Sequence, residues 1–366
     1  MHRRWVMSMA LALALAFGLS PGWLHAAAAT PAPAARPASP ARPSAPAACP
    51  GPALDIRPGA AGQWWVPAWA GESDADNRGQ VSNLWLVRHG HGRQAGLWAL
   101  GSGPSPAWGA ALACQVQRRL GLPLVAVISP WARPELVLGV AGIQRWQPGA
   151  AHWAHAGVAD AMAAQCPHCV ERLRQRLGPA AADLGDDPIR LPEHRLSGDH
   201  GRLGPFRWWR LQRAEGRWVT VWRLQHAPWW AAPGLLLADA AQDGAQGGAH
   251  AGVQDSPPDG READLALLQH SLLQLAGLAQ ADGAAARFLG EQGPWQAADA
   301  PRRQAAYWAA LRAAVRAAIE RGDDEAAAAP PLPGWPAHWA GHPWHGFNWQ
   351  RAWRQLEPEV LAAPGR

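Results

Sequence analysis

The chain has no lysine. All 33 basic side chains are arginines, set against 28 carboxylates for a formal charge of +5 over 366 residues. The arginines are scattered and no run of five basic residues occurs, so nucleic acid is not expected as a partner. Beyond the amino terminus no segment approaches the ~18 uninterrupted apolar residues of a membrane-spanning helix. There is no nucleophile elbow, no phosphate-cradling glycine loop and no paired-carboxylate motif. No repeat of solenoid type is found. Tyrosine and phenylalanine are scarce, one and four residues against 24 tryptophans. Such tryptophans belong mostly in a core or on half-buried strands, with a minority available to line an aromatic pocket.

What is present begins with Arg3 and Arg4, an apolar run over residues 5–19, and a small-residue tract over 26–29. That order predicts a secretory signal peptide over residues 1–28 and a periplasmic, exported mature protein. Residues 29–52, almost entirely Ala and Pro near their start, are expected to form a linker. The four cysteines, Cys49, Cys114, Cys166 and Cys169, would then sit in an oxidising compartment that favours disulfides. Cys166-Pro-His-Cys169 is read as a structural disulfide, with dithiol catalysis as the alternative; the connectivity of Cys49 and Cys114 is left open. No His follows Cys169 directly, so the motif is not a haem-attachment site.

Alternating and β-branched runs predict strands over residues 81–87, 96–100, 124–128, 206–213, 218–224 and 234–238. Residues 214–216 supply a hairpin turn. Steps of three and four predict helices over 107–120, 159–177, 265–275 and 307–319, and a shorter one over 349–356. Pro167 is expected to mark a break or a start within the second of these. A strand, turn, helix, strand order over residues 96–128 indicates mixed α/β (α+β) character. Residues 240–261 read as a surface insertion.

The stretch from Leu124 to Gly139 holds the centre of the reading. A buried strand ends at Pro130, and the loop beyond it, where a rigid scaffold presents chemistry, offers Trp131, Arg133, Glu135 and Leu136.

The pieces around this stretch resemble, in order, the metallo-β-lactamase superfamily, and within it the exported quinoprotein relay system zinc metallohydrolases. Ser82-Asn83, the turn Gly101-Ser-Gly-Pro-Ser105, Gly109 and Pro134-Glu-Leu-Val-Leu-Gly139 carry the first half of the likeness. Cys166-Pro-His-Cys169, Gly234-Leu-Leu-Leu-Ala238, Tyr307 and Asn348-Trp-Gln-Arg351 carry the second, over roughly residues 55 to 360. The resemblance implies a four-layered αββα sandwich over residues 53–298, a C-terminal helical extension over 299–366, and zinc as the family cofactor. Each implied ligand position, however, holds another residue: Trp131, Arg133, Glu135 and Leu136 in the metal loop, then Arg213, Ala240 and Gln292. Trp and Leu cannot ligate, and permanently charged arginines repel a dication.

The expectation is therefore a family member that has lost zinc and hydrolase activity. Its former pocket, lined by Trp131, Arg133, Glu135, Arg213 and Gln292, would bind an anionic or aromatic small molecule, with a quinoprotein dehydrogenase or c-type cytochrome as the partner the resemblance implies. One alternative is an active hydrolase with a rebuilt site, in which His89 and His91 converge near Glu135. Thiol–disulfide exchange at Cys166 and Cys169 is another. His152, His155, His342 and His345 form two more near pairs, read as loop or surface histidines.

Overall fold

The computed structural model describes residues 48–69, 71–237, 257–258, 260 and 262–362. The expected signal peptide, most of the linker, and Ala240 with nearly all of the 240–261 insertion lie outside them.

Two sheets are built. The first takes strands in sequence order: β1 (Arg57–Pro58), β2 (Gln63–Val66), β3 (Leu84–His89), β4 (Gly96–Leu100), β5 (Leu124–Ser129), β6 (Ala151–His155) and β7 (His194–Leu196). Its β1 to β4 pair antiparallel and its β4 to β7 parallel. The second holds β8 (His200–Leu203), β9 (Phe206–Ala214), β10 (Arg217–Leu224), β11 (Trp229–Ala231), β12 (Arg287–Leu289) and β13 (Trp295–Gln296). These too lie beside their sequence neighbours, in order from β8 at one edge to β13 at the other.

The parallel part of the first sheet needs crossovers, and helices supply them. They are α1 (Pro106–Leu120), the single turn α2 (Pro134–Val137), α3 (Val140–Trp146) and α4 (Ala156–Leu177). Ser105 caps α1 by accepting from the Trp108 amide, Pro106 occupies the first turn, and Gly121 ends it at φ 68°. Gly109 and Gly139 let α1 and α3 meet backbone to backbone: a Cβ on Gly109 would stand 1.9 Å from the Gly139 oxygen.

Period-two alternation sorts the strands' two faces. Leu84 and Leu86 of β3 face the α1 side with Trp108, Leu112 and Val116, while Trp85 and Val87 point between the sheets. There they meet Phe206, Trp208 and Trp222, and many of the tryptophans find their place in this layer. Trp85 lies 5.3 Å from Phe206 and 5.5 Å from Trp295, at tilted and edge-on angles that aromatic quadrupoles favour. On the far side, Leu211, Val219 and Val221 pack toward α5 (Leu265–Leu278), α6 (Ala300–Arg321) and α7 (Pro343–Ala362). Helices, sheet, sheet and helices thus form four layers, and α6 and α7 share one core with α5.

The sequence expectations need four corrections. Residues 234–237 are not a strand, and Ala238 lies outside the described residues: Gly234 has φ 82°, and the amides of Leu235 and Leu236 both turn back to the Ala232 carbonyl. The strand is β11, just upstream. Helix α4 runs through Pro167 without ending there. Residues 49–52, read as linker, are fixed to α1. Cys49 is disulfide-bonded to Cys114, and the Gln115 side chain donates to the Pro52 carbonyl at 2.7 Å.

The fourth concerns Cys166 and Cys169, which are both free. They lie in the interior of α4, where Cβ atoms three residues apart stand about 5–6 Å from each other. A disulfide needs about 3.5–4.5 Å.

Candidate functional site

Strand β5 delivers the chain to Pro130, whose carbonyl accepts from the Thr220 amide at 2.8 Å and the Thr220 hydroxyl at 3.0 Å. That contact ties the loop to β10 of the other sheet. A tight turn follows, with Arg133 N donating to Trp131 O and Leu136 N to Arg133 O, both at 2.9 Å. The turn aims Arg133 toward Glu291, which follows β12 of the second sheet.

There Arg133 lies between two carboxylates. Its Nε is 3.2 Å from Glu135 Oε2 and its Nη1 is 2.8 Å from Glu291 Oε1. Both acids are buried, 8% and 2% exposed at the side chain, which is why every oxygen needs a partner. The Ser73 hydroxyl donates to Glu135 Oε1 at 2.7 Å, and the Gly234 amide donates to Glu291 Oε2 at 3.2 Å. Arg213, fully buried, donates to the Gly234 carbonyl and lies 4.8 Å from the Trp131 ring centroid; Arg133 lies 5.4 Å from the same ring. Two guanidiniums thus lie within cation–π reach of one indole. Gly234 permits it, because a Cβ there would meet the Trp131 ring at 2.8 Å.

The predicted positions thus divide. Trp131, Arg133 and Glu135 line a cavity of about 740 Å³ between the loop and α4, and Arg213 backs Trp131 from beneath. Leu136 does not line it. Its side chain is core, packed near Leu84 and Gly101, and its carbonyl accepts from Ser102. Gln292 is a brace, donating to the carbonyls of Gly71 and Val81. The carboxylate comes instead from its neighbour Glu291, which sequence reasoning passed over together with Ser73. An acid beside a degenerate ligand position was the available signal. Also unforeseen are Arg172 and Arg176 of α4, Arg217 of β10 and Arg351 of α7, which border the cavity.

His89 and His91 do not converge on Glu135. His89 pairs with Gly96, at the end of the sheet where β4 and β5 begin, whereas Glu135 follows the end where β5 finishes. Six residues of β5, at ~3.3 Å each, separate the two ends. The other histidines serve as pins. His152 Nε2 is 2.8 Å from the Ser129 hydroxyl, and burial lowers its pKa to about 4. The His155 ring accepts from the Gly157 amide at the start of α4 and contacts the Gly198 carbonyl. His345 sits between the Tyr307 hydroxyl and the Pro330 carbonyl, and His342 accepts from the Trp344 amide. Burial lowers the pKa of each.

The thiols do not form a redox pair either. Cys166 is fully buried and its thiol is pushed up to about 12, first by burial and then by Cys169 and Glu135. It lies ten residues into α4, away from the helix N-terminus that would stabilise a thiolate.

The donor set does not fit the zinc that the resemblance implies. A catalytic zinc takes three protein ligands among imidazole, thiolate and carboxylate. Here the two carboxylates are held by a guanidinium, and Trp131, Leu136 and Arg213 offer no lone pair to a metal. Among the described residues, no three His, Cys, Asp or Glu side chains group to hold a metal ion. No helix among them is long and apolar enough to cross a membrane.

No protein-family model matches the chain, and no curated protein matches it. Among solved structures, it is similar to the metallo-beta-lactamase FIM-1 from Pseudomonas aeruginosa in its mono-zinc form. That match has 15% identity over 70% of this chain and 96% of that one, at a TM-score of 0.49. A metallo-beta-lactamase from Pontibacter korlensis matches at 12% identity over 70% and 99%, also at 0.49. One from Erythrobacter litoralis matches at 14% over 70% and 96%, again at 0.49.

Proposed function

We propose that this is an exported protein of metallo-β-lactamase architecture in which a guanidinium has taken the place of the metal. It works as a binding or accessory component without hydrolase activity. The observation that carries this reading is Arg133, lying between the buried carboxylates of Glu135 and Glu291. A positive centre held by two acids occupies the loop where the resemblance puts zinc, and it supplies charge without an open coordination position or a metal-bound water. Arg213, a second buried cation nearby, makes the pocket hostile to a dication.

Export follows from the basic, apolar and small-residue order of the first 28 residues and agrees with the Cys49–Cys114 disulfide. The partner suggested by the resemblance is a periplasmic quinoprotein dehydrogenase or its c-type cytochrome. Recovery of either with the tagged protein from a periplasmic extract supports the partnership; recovery of neither while both are being made removes it.

Thermal unfolding tests the metal-free reading. A ligand that binds only the folded state raises the midpoint by mass action. Zinc or a chelator is expected to leave the midpoint of the mature protein unchanged, and hydrolysis of β-lactams and thioesters is expected to stay at background. A midpoint that rises with zinc and falls with chelator contradicts the reading.

A further inference from the structure

The outer face of the second sheet carries a row of like charges at its open edge. Strands β8 and β9 set Arg202 opposite Arg207, and β10 sets Arg223 opposite Arg207 on the other side. Directly opposed residues share a face, so three guanidiniums stand abreast across three strands. Like charges so placed destabilise a sheet unless an anion lies among them. Arg223 has one: Asp282 accepts from its Nε at 2.8 Å and from Trp230 Nε1 at 2.8 Å. Other arginines around this edge are matched as well, Arg195 by Asp160 and Arg210 by Asp199. Among the described residues, no carboxylate pairs with Arg202 or Arg207, and both are exposed. Arg207 lies instead 5.6 Å from the ring centroid of Trp209, which is half-buried and stacks on the buried Trp230 at 5.2 Å.

Strand β8 is also the edge of its sheet. The Arg210 amide donates to the Asp199 carbonyl, which marks these two as a hydrogen-bonded pair. Counting by twos along the antiparallel ladder, Gly201 with Trp208 and Leu203 with Phe206 are bonded pairs too. His200 and Arg202 fall between them, so their N–H and C=O groups point away from β9, toward the free edge. Charge on an edge strand guards it against pairing with copies of itself, and that role accounts for Arg202. It does not account for Arg207, which stands one strand inward.

We propose that this edge receives an extended acidic segment of a partner protein, added as a strand beside β8 with its carboxylates over Arg202 and Arg207. Main-chain bonds to His200 and Arg202 supply the attachment, and alternate side chains of the segment supply the recognition. An added strand lies about 4.8 Å from β8 and about twice that from β9, a gap that a glutamate and an arginine close together. A small molecule would need a hollow, and a sheet edge is open. Six residues of β9, about 20 Å, separate Arg207 from Arg213, so the inference stands whatever the arginine–carboxylate cluster binds.

A fluorescein-labelled heptapeptide of alternating valine and glutamate tests it, by anisotropy on the mature protein. Binding is expected, and Arg202→Glu and Arg207→Glu should each raise the dissociation constant tenfold or more. Both side chains are exposed, and melting curves check that the variants fold. Arg145→Glu, exposed on α3 in the layer beyond the first sheet, should leave binding unchanged. Hydrogen exchange at the His200 and Arg202 amides should slow at least tenfold in the complex. The same peptide with proline at its centre cannot complete the ladder and should bind at least tenfold more weakly.

No binding at ~1 mM peptide, beyond which an interface is too weak to be specific, overturns the proposal. So does binding indifferent to Arg207→Glu, or binding indifferent to the central proline, which would mean charge attraction without strand addition. Sedimentation with phosphatidylglycerol vesicles that is lost in Arg202→Glu, while the peptide fails to bind, would replace the protein partner with a membrane surface.

Discussion

Two sets of buried polar side chains in this protein answer burial in opposite ways. His152, His155 and His345 each take one or two neutral hydrogen bonds, to a hydroxyl, a carbonyl or an amide, and burial lowers their pKa values. Arg133 is held between the carboxylates of Glu135 and Glu291 across the ends of both sheets, and Arg213 is held by the Gly234 carbonyl and the Trp131 ring. An imidazole escapes the cost of burial by losing its proton, whereas a guanidinium cannot and must be paired. The residues that look like metal ligands are therefore structural pins. The residues that look like surface charge form the charged cluster of the candidate site.

Breaking the charged set should have the largest effect at neutral pH. Glu291→Ala takes from Arg133 and the Gly234 amide a carboxylate that is 2% exposed, leaving Arg133 to Glu135 alone of the two acids, at a cost of about 2–3 kcal/mol in chemical denaturation. An effect below about 1 kcal/mol would mean that the pair is not held as described.

The neutral set gives a pH dependence of opposite character. His152 has its folded pKa near 4, against 6.5 when exposed, so the unfolded chain binds the extra proton between these values. Its contribution is present above pH 6.5 and is lost as the pH falls toward 4, by roughly 3 kcal/mol in full. Denaturation curves of the wild type and of His152→Gln at pH 7 and 4.5 isolate that slope. An equal slope in both proteins removes His152 as its source.

Tyr307→Phe should cost less, about 1–2 kcal/mol, by taking one hydrogen-bond partner from Asn348 and His345. The smallest effect belongs to His91→Ala. That exposed residue makes no side-chain cap for the short turn it precedes, so stability should change by less than about 0.5 kcal/mol. A large loss there would return the 89–91 pair to the site.

Much of the scaffold was legible in the sequence because periodicity writes burial directly. Strands over 96–100 and 124–128, the hairpin around 214–216 and the helix stopped by Gly121 all fall where the pattern puts them. The short strand β6 was hidden, since its Ala-His-Trp-Ala-His sequence reads as a histidine pair before it reads as a strand. Residues 234–238 misled for the converse reason: three consecutive leucines look like a buried strand, and here they fill a buried turn.

Within the site, Trp131, Arg133, Glu135 and Arg213 were legible from loop position and resemblance. Glu291 was not, because its role depends on which residue of β11's following turn and which loop of the first sheet meet it in space. Sequence order says nothing of that meeting. The cavity arginines were missed for the same reason: Arg172, Arg217 and Arg351 belong to three distant segments, and only the packing of α4 and α7 around the loop brings them together. The cysteine motif shows how far spacing alone can mislead, since Cys166 and Cys169 had disulfide-like spacing while the bond formed between Cys49 and Cys114, 65 residues apart.

The most direct test of the central claim, that Arg133 stands where a metal would, is the zinc content of the mature protein after equilibration with excess zinc and removal of the unbound ion. Far less than one zinc per chain is the predicted result, unchanged in Glu135→Gln and Glu291→Gln. One zinc per chain, lost in either variant, would contradict it.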